Sequence, residues 1–276
     1  SRTEGILRIA NLWDCTQPFC VRAVDRGTFQ ARELTMSRSV RHESCPNRLW
    51  TLSLMVGLTA VLVSPLAYAR NTSAEALADK MLDRLGGRVA WAGLKNTING
   101  SQQNRAGEPT VVYAVITMDF EQPRFRIETT AQDLHLIRVI DTNNNWRLNR
   151  AGKIEDVPAD RVKDDMRWYA AHLYRTIHRV AARDPELSLG IGEDGRLEIF
   201  AGDQRILWLE LDAKGEPYAF GFWDDDTGSL SGPWDFVKDD IHHPRWVSSS
   251  DGTWRAAVQA LDVNVPLHDS TFVRPD

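Results

Sequence analysis

Cysteine is scarce in this chain and absent from most of its length. The three cysteines, Cys15, Cys20 and Cys45, all lie ahead of residue 46. The later residues therefore offer no disulfide framework, no thiol nucleophile and no thiolate ligand for a metal. A domain built from them depends on a hydrophobic core for its stability.

An excess of positive charge is missing as well. Lys and Arg number 33 against 38 Asp and Glu, and the net charge at pH 7 is −5. Nucleic acids and anionic membrane surfaces select proteins with basic patches. The charge balance therefore argues against nucleic acid as a partner.

One long apolar run is present, and it lies near the start of the chain. Residues 49–66 carry no charge, follow several arginines and precede the small-residue triplet Ala67-Tyr68-Ala69. A basic segment, an apolar segment and an A-x-A site in this order predict a secretory signal peptide. A membrane anchor is the alternative, because a spanning helix needs roughly 20 apolar residues. Pro65 and the A-x-A ending favour cleavage.

This pattern divides the chain into three parts. Residues 1–35 precede Met36 and show no periodic apolar pattern, so we expect a non-native upstream extension or a disordered one. Residues 36–69 form the predicted signal peptide. Residues 70–276 are expected to be one exported, soluble periplasmic domain.

The exported part begins with a helical pattern and continues with strand patterns. Residues 73–85 read as a short amphipathic helix that ends at Gly86-Gly87. Residues 110–120 alternate with a period of two and present one wholly apolar strand face. Hairpins are predicted from there to residue 157, because turn residues separate short alternating segments.

The strongest helical pattern covers residues 159–183. Six apolar residues recur there every third or fourth position and lie on one stripe. They are Val162, Met166, Tyr169, Leu173, Ile177 and Val180. Asp184-Pro185 is expected to end this long helix.

Strand patterns resume at residues 187–223, an Asp-rich stretch at 224–244 interrupts them, and final strands are predicted at 254–261 and 263–265. The predicted fold class is α+β. A curved antiparallel sheet of about nine to eleven strands forms an open half-barrel. The long helix and the short N-terminal helix cover its concave face.

The densest group of carboxylates and imidazoles lies in the Asp-rich stretch. Asp239, Asp240, His242 and His243 could bind a divalent metal and support a metal-assisted hydrolase. Their spacing matches no common ligand pattern, and acidic loops are usually solvated. We therefore keep this site as a weak alternative and expect no cofactor.

A serine hydrolase is disfavoured too. The sequence Gly228-Ser229-Leu230-Ser231-Gly232 places serines beside glycines, as a nucleophile turn does. Such a turn must lead from a strand into a helix, and no helical pattern follows here.

Several C-terminal segments form a recognisable series, namely Pro244-Arg245-Trp246-Val247, Ser250-Asp251-Gly252, 258–261, Val263-Asn264-Val265-Pro266-Leu267, Phe272 and Pro275. Together with Gly86-Gly87, the strand block at 110–129 and the order of elements, they resemble a known group, the LolA/LolB-like outer-membrane lipoprotein-sorting proteins. The resemblance implies a periplasmic carrier or sensor that holds acyl chains in a half-barrel lined by aromatic residues.

The apolar strand faces and the helical stripe together predict an apolar cleft for a lipid or a lipoprotein acyl chain. The expected wall consists of Met118, Phe120, Phe125, Ile127, Trp146, Trp208, Phe220 and Phe222, and the expected lid of Met166, Tyr169 and Leu173. We expect a monomeric binding protein without enzymatic activity. Envelope proteins are further possible partners, and the remaining alternative is an envelope interaction module whose cleft is filled by side chains.

Overall fold

The computed structural model describes residues 71–275, which lie within one compact unit. The predicted extension at 1–35 and the predicted signal peptide at 36–69 lie outside these residues. Within residues 71–275, the helices are all too short or too polar to cross a bilayer.

Two helices open the described part of the chain. Helix α1 covers Thr72–Arg84, and α2 covers Arg88–Ala92. The side-chain oxygen of Asn71 caps α1 by accepting a hydrogen bond from the backbone of Ala74 at 3.2 Å. The predicted first helix is therefore confirmed. It ends before Gly86, whose φ of 108° suits glycine.

The long predicted helix is two helices. Helix α3 covers Ala159–Ala171 and α4 covers Leu173–Ala181, with His172 between them at a ψ of 136°. The ring of His172 caps α4, because its Nδ1 accepts a hydrogen bond from the backbone of Tyr174 at 3.3 Å. The apolar stripe continues across the break, which is why its periodicity did not reveal the junction.

Residues 71–275 contain fifteen strands. The first six are β1 Asn96–Arg105, β2 Val112–Asp119, β3 Arg124–Ala131, β4 Leu134–Ile140, β5 Trp146–Leu148 and β6 Ile154–Asp156. The next four are β7 Leu187–Ile191, β8 Leu197–Ala201, β9 Gln204–Leu211 and β10 Pro217–Phe222. The last five are β11 Ser229–Ser231, β12 Phe236–Lys238, β13 Ile241–His243, β14 Trp246–Ser249 and β15 Trp254–Val263. Thirteen of them form one antiparallel sheet in the order β6-β5-β4-β3-β2-β1-β15-β14-β11-β10-β9-β8-β7, and β12 and β13 form a separate hairpin.

The predicted fold class is confirmed, since the sheet is open, curved and antiparallel and carries helices. It has more strands than predicted because β1, which no strand pattern indicated, and two short strands from the stretch at 224–249, β11 and β14, belong to the sheet. The two predicted C-terminal strands are one continuous strand, β15, which pairs along the length of β1.

The register assigns side chains to the two faces of the sheet, because directly paired residues lie on the same face. Met118 pairs with Phe125, and Phe125 pairs with Ile140. We call the face that carries these residues the inner face. Helix α3 packs on it beside β4, and α1 packs beside β7 and β8 at the other end of the sheet.

Candidate ligand-binding site

The predicted wall residues of β2 and β3 form a packed core with α3. Met118 and Phe125 are fully buried beneath Trp168 and Tyr169. The Phe125 ring stacks on the Tyr169 ring with centroids 5.9 Å apart and meets the Trp168 ring edge-on at 5.2 Å. Protein side chains therefore fill this part of the inner face.

Half-buried apolar side chains surround that core. Each packs against the core cluster and keeps part of its surface accessible. We call this group the apolar rim, and it contains three of the predicted cavity residues, one of which belongs to the expected lid. Its members are Ile116, Phe120, Ile127, Val162, Met166 and Trp223.

Phe220 and Phe222 lie farther along the inner face, on β10, and both are buried. Their rings meet edge-on at 5.6 Å, and the Phe222 ring lies 5.9 Å from that of Trp223. Trp223 thereby connects β10 to the apolar rim. Leu173 begins α4 and is buried as well.

Trp146 lies on the outer face, opposite to the side on which the wall was predicted. It pairs with Val139, the neighbour of inner-face Ile140, and packs against Phe272 of the C-terminal segment. Its Nε1 donates a hydrogen bond to the Phe272 carbonyl at 2.9 Å. The C-terminal segment, and not a ligand cleft, covers this ring.

Trp208 also lies on the outer face. It pairs with Gly221, and a Cβ placed on Gly221 would come within 2.5 Å of the indole. Its Nε1 donates to the Asp225 carbonyl at 2.7 Å. Four successive apolar residues at 206–209 conceal the two-residue period, so the pattern could not reveal which of them points inward.

The Asp-His group predicted as a weak metal site forms the β12–β13 hairpin. Asp239 and Asp240 occupy its turn at φ values of 47° and 65°, and both side chains are exposed. The Nδ1 of His242 lies 3.1 Å from the Trp234 carbonyl, whereas His243 points the other way. Nowhere in residues 71–275 do three or more potential ligands gather around a metal position.

Four polar residues that sequence patterns did not bring together meet on the inner face. The Nδ2 of Asn99 lies 2.7 Å from Nε2 of His243 and 3.4 Å from the Tyr174 hydroxyl. The Tyr174 ring contacts the rings of His172 and His243 at 5.3 and 4.9 Å. We call Asn99, His172, Tyr174 and His243 the histidine cluster. Asn99 and His243 are 144 positions apart, so no local pattern marks them.

Hydrogen bonds and burial set the protonation of the two histidines in this cluster. The Pro244 carbonyl can only accept, so Nδ1 of His243 donates to it at 2.5 Å and Nε2 accepts from Asn99. Burial lowers the pKa of His243 to about 4. Burial, together with the charge of His243, lowers the pKa of His172 to about 3. Both rings are therefore neutral at neutral pH.

Comparisons with known proteins find only weak similarities, and these are similarities of structure. No family model matches the chain, and no curated protein matches it. A DUF1329 family protein from Desulfovibrio piger aligns with a TM-score of 0.43 at 8% identity, over 73% of this chain and 96% of that chain. An uncharacterized conserved protein from Thermus thermophilus aligns with a TM-score of 0.30 at 13% identity, over 72% of this chain and 94% of that chain. A chain of the MucA/MucB complex of Pseudomonas aeruginosa aligns with a TM-score of 0.31 at 12% identity, over 72% of this chain and 61% of that chain. At these values the similarities assign no family and no function.

Proposed function

We propose that this protein binds the acyl chain of a lipid or lipoprotein against the inner face of its half-barrel, without catalysing a reaction. The observation that carries this proposal is the apolar rim, where six neighbouring apolar side chains keep accessible surface beside the helices. Burial of each methylene contributes about 0.8 kcal/mol. An acyl chain laid along the rim would therefore gain affinity without any polar group.

A catalytic role has less support from the same region. Both ring nitrogens of His243 are engaged, and Nδ1 of His172 accepts the capping hydrogen bond of α4. The hydroxyl of Ser229 is buried and has no hydrogen-bond partner among residues 71–275, so no base activates it. The hydrogen bonds of His172 and His243 thus support the fold, and they leave none of these nitrogens free to act as a catalytic base.

Native mass spectrometry tests the proposal directly. Protein purified after export and incubated with phospholipid vesicles is expected to carry one added lipid mass. Protein that stays free of ligand with phospholipid and with fatty acid would favour the interaction module with a filled cleft.

A larger side chain in the apolar rim is expected to block binding of the acyl chain. Ile116→Trp places a larger side chain on the inner face and should weaken acyl-chain binding about tenfold or more, since several methylene contacts are lost. Val115→Trp is the matched control, because Val115 is the next residue of β2 and is exposed on the outer face. Titration calorimetry with laurate measures both variants. Equal affinities for the two would contradict the proposed location.

The proposed place of action is the periplasm, supported by the signal-peptide pattern at 36–69. Expression from Met36 in a Gram-negative host is expected to yield a periplasmic protein that begins at Arg70. N-terminal sequencing and intact mass check this. Ala69→Arg should retain the longer, membrane-associated form, because it removes the small residue before the cleavage point. Recovery of uncleaved wild-type chain would contradict the prediction.

A further inference from the structure

Arg175 on α4 differs from most half-buried arginines of this protein in lacking a carboxylate partner. Arg126, Arg179 and Arg205, for example, each contact an Asp or Glu at 2.7 to 2.8 Å. Within residues 71–275, Arg175 forms no ion pair, and its Nε is buried without a hydrogen-bond partner. A partly desolvated charge without an anionic partner is costly for the fold.

Two carboxylates act electrostatically on Arg175 or on Tyr169, whose ring lies beneath it, and both form ion pairs with other arginines. Asp184 interacts with the charge of Arg175 but lies 2.7 Å from Nε of Arg179 and also accepts from the backbone of Glu186. Asp119, whose charge acts on Tyr169, lies 2.9 Å from Nε of Arg124. Each carboxylate therefore has a direct cationic partner other than Arg175.

The position of Arg175 links it to the apolar rim. Its guanidinium lies 4.8 Å over the centroid of the Tyr169 ring, which belongs to the core that the rim surrounds. One helical turn later, the His178 ring stacks on rim residue Phe120 with centroids 5.5 Å apart. Arg175 therefore lies at the border of the apolar surface, where a headgroup would follow a chain.

We propose that Arg175 binds the anionic headgroup, a carboxylate or a phosphate, of the amphiphile whose chain lies on the apolar rim. This assignment rests on the proposed acyl-chain function and names the chemical class of its ligand. A guanidinium presents several N–H donors in a planar fork that suits both anions. A hydrogen bond to a charged group contributes enough to change affinity roughly 10- to 100-fold.

Titration calorimetry with three ligands of equal chain length tests the assignment. Laurate and dodecyl phosphate are anionic, and dodecanol is neutral. The wild-type protein is expected to bind both anions about tenfold or more tightly than dodecanol. Arg175→Gln is expected to bind all three with similar affinity, because the chain contacts remain and the charge is gone.

Arg255→Gln is the matched control. Arg255 also lies over an aromatic ring, that of Trp246 at 4.4 Å, but on the outer face of the sheet. This variant should keep the wild-type preference for anions. Arg175→Met is a second neutral variant in case Arg175→Gln does not fold, which circular dichroism reports.

The outcomes separate this inference from the function on which it rests. A wild-type protein that binds none of the three ligands overturns both. Equal binding of all three by the wild type, or an unchanged preference in the neutral Arg175 variants, overturns the role of Arg175 and leaves chain binding in place. Inorganic phosphate that binds as tightly as dodecyl phosphate would show a simple anion site and overturn the amphiphile assignment.

Discussion

Lowering the pH from 6.5 to 4 is expected to reduce the free energy of unfolding by several kcal/mol through His172 and His243. Burial lowers the pKa of these residues to about 3 and about 4 in the folded state. In the unfolded chain they return to the usual value near 6.5. The unfolded state therefore binds protons first as the pH falls, and stability is lost from pH 6.5 downward until the folded pKa values are reached.

Urea unfolding at a series of pH values measures this loss. The double variant His172→Gln/His243→Gln should show a much smaller decrease over the same interval, when each protein is compared with its own stability at pH 7. His268→Gln is the control, since His268 is exposed. His178 and the carboxylates remain in all the proteins, so the difference isolates the rings of His172 and His243. Parallel pH profiles of the double variant and the wild type would refute the explanation.

Replacement of Gly86 by alanine is expected to lower the free energy of unfolding by about 4 kcal/mol. The residue has a φ of 108°, and a Cβ built on it would lie 1.6 Å from the Asp240 carbonyl oxygen. Both the backbone strain and the contact with the hairpin turn destabilise the variant. The backbone N–H of His242, which donates to the Leu85 carbonyl at 3.1 Å, would be displaced with the hairpin.

Gly87→Ala separates strain from close contact. Gly87 has a φ of 100°, but a Cβ built on it meets no atom within 4 Å. This variant should lose about 2 kcal/mol, from backbone strain alone. Chemical denaturation of both variants provides the comparison. Equal losses would mean that the close approach of Gly86 to the hairpin does not matter for stability.

Strand β2 shows where local patterns succeed. Its inner face is a clean alternation of apolar residues, and Met118 points inward as this alternation predicted, although it lies in a packed core and was predicted to line an open cleft. The turn glycines likewise end α1 where expected. Such features depend on neighbouring residues, so a short window of sequence contains the information.

Strand β9 and the Asp-rich stretch show where such patterns fail. Trp208 lies between two leucines, and its face follows from pairing with Gly221 on another strand. The acidic residues at 239–240 indicated a polar loop, yet they form the turn of a hairpin whose Ile241 and His243 are buried. More buried and less buried side chains alternate along β12 and β13, but each strand has three residues and is too short to stand out against the surrounding polar residues.

Local composition and periodicity decided most of the secondary structure, the antiparallel class of the sheet and the apolar character of its inner face. Pairing between distant strands decided that Trp146 and Trp208 point outward, and packing between distant segments brought Asn99 to His243. The physical reason is that the face of a strand residue reverses with a one-residue change in register. Register depends on contacts between strands far apart in the chain, and these exist only after the sheet has formed.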